Sequence, residues 1–573
     1  MLKALRKTSQ GQSGLGWGTL KRSDTEESIK PKSVAADEVQ EEKENIHGSS
    51  VNRDAHFVTK ILANTGPCIR LSSAALKLFE RVHLVFYRST EWTEKSLTTI
   101  ILARISRRNF PDYIVSRSSN IFTTRFDLLE FEASIRTQFR IDNILEFNGT
   151  VRTDGLQTVK EIFEAILPRW RTILISDQRK EDREYESGEG AYLRRFSPAW
   201  VYTRIVHKGT YVLGRFKEHA REHATLSELL AQRLFHTSRR GAWYQRKALL
   251  EEHYMSTLQP IPSLPDATNK KHWKQIALRT CEAGLQDRDT HLIYHYDLQK
   301  RISKLEKSLK IAKRLQHDFG HVRLAKPAER TVTGIRVEKD LPASTTHRRG
   351  AKTIWIDERE GGGECGVEAM CLSHYRSEGW KGFHSEGGIV RTLFGYLFYD
   401  VLFTYIPNVF QTPYQICPLD LHTDAFYPSR ASEINQRVVE IANGGAEGIV
   451  REVWERGQGR RTCVVGLDWD FELEDLLEIV DCFGEEQLGT VCKVMAQEYQ
   501  QRGGGIPDLF LWRTGDGEEN SDGNGKGEVM FAEVKSENDR LSDTQRLWIH
   551  VLAGAGLRVE LCSAVAREVR VAR

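Results

Sequence analysis

The stretch GGGIPDLFLWR at 503–513, followed by VMFAEVKSENDRLSDTQRLW at 529–548, decides how the C-terminal part of this chain folds. PDLFLWR and GEVMFAEVK are short apolar runs bounded by glycine-rich segments, which read as two buried strands. SDTQRLWIHVLAGAG reads as a helix, with Ser542 as N-cap and Gly554 or Gly556 to end it, and LRVELCSA as a further strand. Into these apolar runs the sequence sets Asp508, Glu533 and Lys535. Charges are rare in buried strands unless they are paired or hold a metal.

Asp508 and Glu533 lie on strands that can pair across the loop GDGEENSDGNGKG at 515–527. Glu533 and Lys535 are two apart, so their side chains share a face. Two converging carboxylates make a hard-oxygen site for Mg²⁺ or Mn²⁺, and an ammonium beside it can hold a water. Phosphodiester hydrolysis needs that combination: an activated water and cations where charge develops on phosphate. A buried Glu–Lys ion pair beside a surface Asp is the structural alternative. The order strand, strand, capped helix, strand favours the nuclease site.

The rest of the chain divides by pattern. Residues 1–55 are polar, with the charge run EVQEEKEN at 38–45, and are expected to be a disordered tail. Residues 56–150 form a small mixed unit: helices over AALKLFERVHLVFY and SLTTIILARI, a hairpin over DYIVSRSSNIFTT, and a helix over RFDLLEFEASI. Helices followed by a hairpin suggest a winged-helix-like module. From 151 to 345 apolar residues recur at helical steps, as in GAWYQRKALLEEHYM and YDLQKRISKLEKSLKIAKRL, which predicts a repeat-like α-helical solenoid. Between Lys300 and Arg330 ten Lys or Arg face three acids, either a solvated helix face or a phosphate-backbone track. From 346 strand KTIWIDE, helix GVEAMCLSHYRSEGW and the more buried helix EGGIVRTLFGYLFYDVLF lead into the C-terminal α/β domain, 346–573.

Composition bounds the reading. The chain has 573 residues, 40% apolar and 28% charged, with a net charge of +3, which fits a globular multidomain protein. Its nine cysteines include no C-x-x-C pair, so a finger-type zinc site is not expected and reduced, mostly buried thiols in an intracellular protein are. The apolar run TLFGYLFYDVLFTYI contains Asp400 and falls short of the ~20 residues of a membrane span, and the N-terminus lacks a signal-peptide core.

GGGIPDLFLW…VMFAEVKSENDRLSDTQRLWI resembles the virus-type replication–repair nuclease (VRR-NUC) domain of the PD-(D/E)xK superfamily. GWKGFHSEGGIVRTLFGYLFYDVLF at 379–403, IPNVFQTPYQICPLDLHTDAFY at 406–427 and RRNFPDYIVSRSSNIF at 107–122 widen the likeness to the Fanconi-associated nuclease family, from about residue 75 onward. The resemblance implies a multidomain α+β architecture: a winged-helix-like unit, a TPR-like solenoid and a PD-(D/E)xK domain. It implies a metal-dependent DNA nuclease on branched or flapped duplex DNA, with 5′-flap endonuclease and 5′-to-3′ exonuclease activity in interstrand-crosslink repair in the nucleus. Such a role leaves room for DNA-repair proteins as partners.

By correspondence, Asp508, Glu533 and Lys535 fill catalytic positions, the Val534 carbonyl is a metal ligand, and HSEGG places Glu386 on the same metal. Read without the family, Glu386 is an acid favoured by a helix start. The family also grips a 5′ phosphate near the end of its helical region, for which Arg330, Arg336 and His295 are candidates; otherwise the arginines are surface residues flanking a strand. The family often has an N-terminal ubiquitin-binding zinc finger, but the Cys and His spacing for one is absent. The stretch before residue 75 is short for a complete DNA-binding domain, so the 56–150 unit is expected to be truncated. After Lys535 the sequence has SEND where the family often has Gly-Pro before Asn-Asp. Rival readings are a Holliday-junction resolvase-like endonuclease and a catalytically decayed DNA-binding scaffold.

Overall fold

The computed structural model describes residues 59–572 with breaks, the longest at 88–95, 182–192, 340–352 and 516–526 and the shorter ones including residue 386. The tail expected at 1–55 lies outside the described residues. The described residues up to Tyr87, with 145–147, form one compact unit, represented by helix Ser73–Tyr87. Everything that follows belongs to the other.

Helices run over Ser96–Arg104 and Arg125–Asp142 as the periodicity implies, the second capped by Thr124 and Asp127 in a reciprocal box. The hairpin expected over 112–124 does not form: residues 111–118 carry no strand. Instead the Ser116 amide donates to the Phe410 carbonyl at 3.0 Å and the Tyr113 hydroxyl to Thr412 O at 2.9 Å. The Tyr113 ring stacks on Phe410 at 4.1 Å. Aromatic docking onto a distant loop has displaced local strand pairing.

The helical region contains Thr153–Glu181, Pro198–Arg215, His219–Ala231, Arg240–His253, Asp266–Gln286 and His295–Leu309. Ala248, Ala277, Cys281, Leu298, Ile302 and Leu305 close one inner layer. The last helix ends sooner than the pattern suggests. Lys310 is left-handed (φ 56°), and the Ile311 amide folds back onto the Glu306 carbonyl at 3.0 Å. That closure satisfies the terminal carbonyls. Ile311 then packs on the inner layer instead of extending the helix, and only the 3₁₀ turn Lys313–Leu315 follows.

The C-terminal part is built on one seven-stranded sheet: β1 Ala328–Lys339, β2 Ile354–Ile356, β3 Glu364–Cys365, β4 Lys381–His384, β5 Leu509–Arg513, β6 Glu528–Ser536 and β7 Arg558–Ala572. Its order is β3-β2-β1-β7-β6-β5-β4, with β7 parallel to both β1 and β6 and the other pairs antiparallel. The sheet therefore takes its first strand from before residue 345. Period-two alternation sorts its residues to two faces. Phe510, Trp512, Val529 and Phe531 join the larger core, with helices Gly388–Leu397, Leu473–Cys482, Glu485–Arg502 and Asp543–Gly554. Leu509, Leu511, Met530, Ala532 and Val534 pack under helix Val367–Ser377 through Met370, Cys371, Leu372 and Tyr375. The buried helix expected over 386–403 breaks at Phe398 into Gly388–Leu397 and Tyr399–Leu402.

The helical region touches the sheet domain at helix Asp543–Gly554, where Leu547 is buried with Ile293 and Tyr294 and the Arg546 guanidinium lies 5.5 Å over the Tyr296 ring. All eight cysteines among the described residues are free thiols, five of them buried. No described helix is long and apolar enough to cross a membrane.

Candidate active site

β5 and β6 pair from Arg513↔Glu528 to Leu509↔Ala532, and β5 begins at Leu509. β6 runs on, so the edge that faces β5 is unpaired from Glu533 to Ser536. Asp508, one residue before β5, closes that gap: the Val534 amide donates to its Oδ2 at 3.0 Å. In an antiparallel strand the N–H and C=O of one residue leave on the same side. The Val534 carbonyl is thus aimed at the edge its amide shares with Asp508.

Glu533 and Lys535 occupy the face of β6 that carries Phe531, as their spacing requires, and Lys535 Nζ stands 2.7 Å from Glu533 Oε1. The Glu533 side chain is fully buried, while that of Lys535 keeps 17% of its surface exposed. A second donor reaches the same carboxylate oxygen: Gln545 Nε2, from the first turn of helix Asp543–Gly554, at 2.5 Å. Both contacts fall on Oε1. Oε2 is buried without any hydrogen-bond partner.

Electrostatics follow from that burial. Desolvation first, then the neighbouring Asp508 charge, pushes the Glu533 carboxyl up to about 7, although Lys535 pulls it down. Burial likewise raises Asp508 above its ordinary value, against the Val534 amide and Lys535, and Glu368 adds to the rise. Two neighbouring acids, one of them fully buried with an orphaned oxygen, are unfavourable as they stand. A cation removes the penalty, and hard oxygen donors suit a divalent one. Among the described residues no three His, Cys, Asp or Glu side chains gather into one metal-binding group, so Asp508 and Glu533 are the pair.

Glu386 lies outside the described residues. Its neighbours are placed: the Ser385 amide donates to the Asp508 carbonyl at 3.3 Å, and Gly387 is left-handed at φ 82° before helix Gly388–Leu397. Of the 5′-phosphate candidates, the two arginines lie apart. Arg330 and Arg336 sit six residues apart on β1, about 20 Å along a strand. Arg330 pairs with Glu378 and lies over the Tyr375 ring at 5.7 Å; Arg336 pairs with Glu338 at 2.6 Å. His295 opens its helix, its Nε2 3.2 Å from the Thr290 carbonyl, and burial lowers its pKa. Each has a partner of its own in this structure.

Two residues near the acids escaped the sequence reading. Glu368, in the first turn of helix Val367–Ser377, bears on Asp508 from the opposite face. Gln545 carries a local signal, since Ser-x-x-Gln is a capping box, but nothing in that pattern says that the amide also reaches a strand.

Residues 442–566 match the family model of the VRR-NUC domain, and residues 156–305 that of the Fanconi-associated nuclease 1 TPR domain. The Fanconi-associated nuclease 1 homolog of Schizosaccharomyces pombe is 35% identical over 518 residues, 89% of this chain and 70% of that protein. Fanconi-associated nuclease 1 of Danio rerio is 30% identical, covering 91% of this chain and 51% of its own length, and that of Homo sapiens 26%, covering 89% and 48%. This chain thus spans about half the length of those two relatives. A crystal structure of paFAN1 bound to 2-nt 5′-flap DNA with a gap superposes with a TM-score of 0.56 at 14% identity, covering 92% of this chain and 81% of that one.

Proposed function

We propose that this chain, which belongs to the Fanconi-associated nuclease family and is a metal-dependent, structure-specific DNA nuclease, cuts branched duplex DNA at 5′ flaps and degrades it 5′ to 3′. The observation that carries the site assignment is the Glu533 carboxylate: fully buried, two donors on one oxygen, the other oxygen bare. Asp508, Glu533, the Val534 carbonyl and Glu386 would hold Mg²⁺ or Mn²⁺. When bound, such an ion supplies Lewis-acid stabilisation of the phosphate and a nucleophilic water near neutral pH.

The chain's own residues do the rest. The Val534 amide fixes Asp508, so that one oxygen is spoken for and the other faces the site. Lys535 balances the charge of Glu533 and, with its side chain partly exposed, orients the attacking water and meets charge developing on the scissile phosphate. No side-chain nucleophile is required. The family assignment supports crosslink repair in the nucleus as the setting and further repair proteins as partners.

The test is cleavage of an end-labelled 5′-flap duplex, with and without a 5′ phosphate, in Mg²⁺, in Mn²⁺ and in EDTA. Incision at the flap base only with a divalent ion is expected. Equal incision in EDTA overturns the metal assignment, and preference for intact four-way junctions overturns the flap assignment.

A further inference from the structure

The two ends of the Gln545 carboxamide make hydrogen bonds that only one orientation allows. Its backbone N–H donates to Ser542 Oγ at 3.3 Å, and its side-chain Oε1 accepts the Ser542 amide at 2.8 Å. A backbone N–H can only donate, so the oxygen of the carboxamide is fixed toward Ser542. The NH₂ group must then point the other way, where it meets Glu533 Oε1. The helix that carries it is tied to the core by Trp548, fully buried, whose Nε1 donates to the Arg502 carbonyl at 3.0 Å. Gln545 is therefore a rigid donor delivered from the helix to the strand.

Its target explains why the direction matters. Glu533 has two oxygens, and rotation about its last torsion exchanges them. With Lys535 and Gln545 both on Oε1, that torsion is held and Oε2 is left buried without a hydrogen-bond partner. Lys535 alone is a flexible point charge that could follow either oxygen. We infer that Gln545 is a positioning residue of the hydrolytic site: it locks the Glu533 carboxylate so that Oε2 is presented to the metal, and it leaves Lys535 free to turn to water or phosphate. This deepens the proposed function and rests on Glu533 being a metal ligand.

The same residue also caps its helix, and the two roles separate experimentally. Glu serves at the third position of a capping box as well as Gln does. Gln545→Glu therefore keeps the cap but puts an acceptor where Glu533 needs a donor, while Gln545→Met removes the donor together with the side-chain half of the capping box. The measurement is Mn²⁺ binding to the whole folded chain by isothermal titration, without DNA, beside the Mn²⁺ concentration for half-maximal flap cleavage and the thermal midpoint in EDTA. Partners that orient a metal ligand typically account for about 10–100-fold in affinity. Both variants are expected to bind Mn²⁺ at least about tenfold more weakly, and Gln545→Glu to melt within about two degrees of wild type. If either folded variant binds Mn²⁺ within a factor of two of wild type, Gln545 is only a cap and the inference fails. A wild-type chain that binds Mn²⁺ but leaves flaps uncut refutes the flap assignment and not this one; a wild-type chain that binds no Mn²⁺ refutes this one.

Discussion

The backbone amide of Val534 holds the carboxylate of Asp508 at 3.0 Å, so the residue between Glu533 and Lys535 also anchors the other acid of the site. Asp508→Asn keeps an acceptor for that amide, while Asp508→Ala leaves it bare. Both are expected to lower flap cleavage by several powers of ten, through loss of a metal ligand. Only the alanine variant should also lose stability, by about 1–3 kcal/mol for a buried donor left unpaired. Cleavage rates and urea midpoints on the same preparations check this. Near-normal cleavage by folded Asp508→Asn would remove Asp508 from the site.

Glu533→Gln should abolish cleavage yet leave the metal-free protein at least as stable as wild type at pH 8. Gln can accept from Lys535 and Gln545 without being a buried anion. Melting curves in EDTA give the comparison, and a clear loss of stability would contradict the desolvation account.

The pH dependence of the metal-free fold follows from the same carboxyl. Its folded pKa, about 7, is raised above an ordinary value of 4.5. Between those values the unfolded chain has released its proton while the folded chain keeps it. The contribution is complete below pH 4.5 and declines as pH rises to about 7. A bound divalent ion displaces that proton, so the thermal stabilisation by Mn²⁺ should grow over this window. Scanning fluorimetry at half-unit steps, with Mn²⁺ and with EDTA, reads it directly; Glu533→Gln should lack this component. A shift by Mn²⁺ that is flat with pH in wild type would rule it out.

Gly387 is left-handed at φ 82°, and a Cβ there would come within 2.7 Å of the Ile506 side chain. Its neighbours carry Glu386 on one side and the buried helix Gly388–Leu397 on the other. Gly387→Ala is expected to cost about 1–3 kcal/mol by strain alone. It should also depress cleavage of the folded fraction, because the turn sets where the chain passes Asp508. A variant that melts early but cleaves normally once folded would mean that the turn is structural only.

Arg330 and Arg336 are each paired with a glutamate and are far apart on β1. Replacing either by Ala should leave any preference for a 5′ phosphate intact, measured on matched flaps with and without that group. Loss of the preference in both variants would show that the DNA draws them together.

The strands of the candidate site were legible in the sequence because their signals are local. PDLFLWR and GEVMFAEVK alternate in register, and the spacing of Glu533 and Lys535 fixes their common face whatever else the chain does. Ser542 announces the following helix. What was hidden is what depends on partners far along the chain. β1 pairs with β7 across more than two hundred residues, from Ala328↔Glu560 to Lys339↔Ala572, and no local pattern assigns it to this sheet. The same pairing lengthens β7 to Ala572, through Arg567, Glu568 and Arg570, whose charges look like a polar end. The run at 112–118 has strand chemistry but was claimed by Phe410. Lys310 turned out of its helix because Ile311 had an inner layer to join.

The place of β7 in the sheet also has a bearing on how the protein is made. It follows the other six strands in sequence, yet it lies between β1 and β6. A polypeptide leaving the ribosome N-terminus first exposes Asp508, Glu533 and Lys535 before the strand that flanks β6 exists, and pairings this distant in sequence form slowly. Nascent chains should therefore have no nuclease activity until β7 has emerged, and stop codons placed between Lys535 and Arg558 should yield inert products although every proposed catalytic side chain is present.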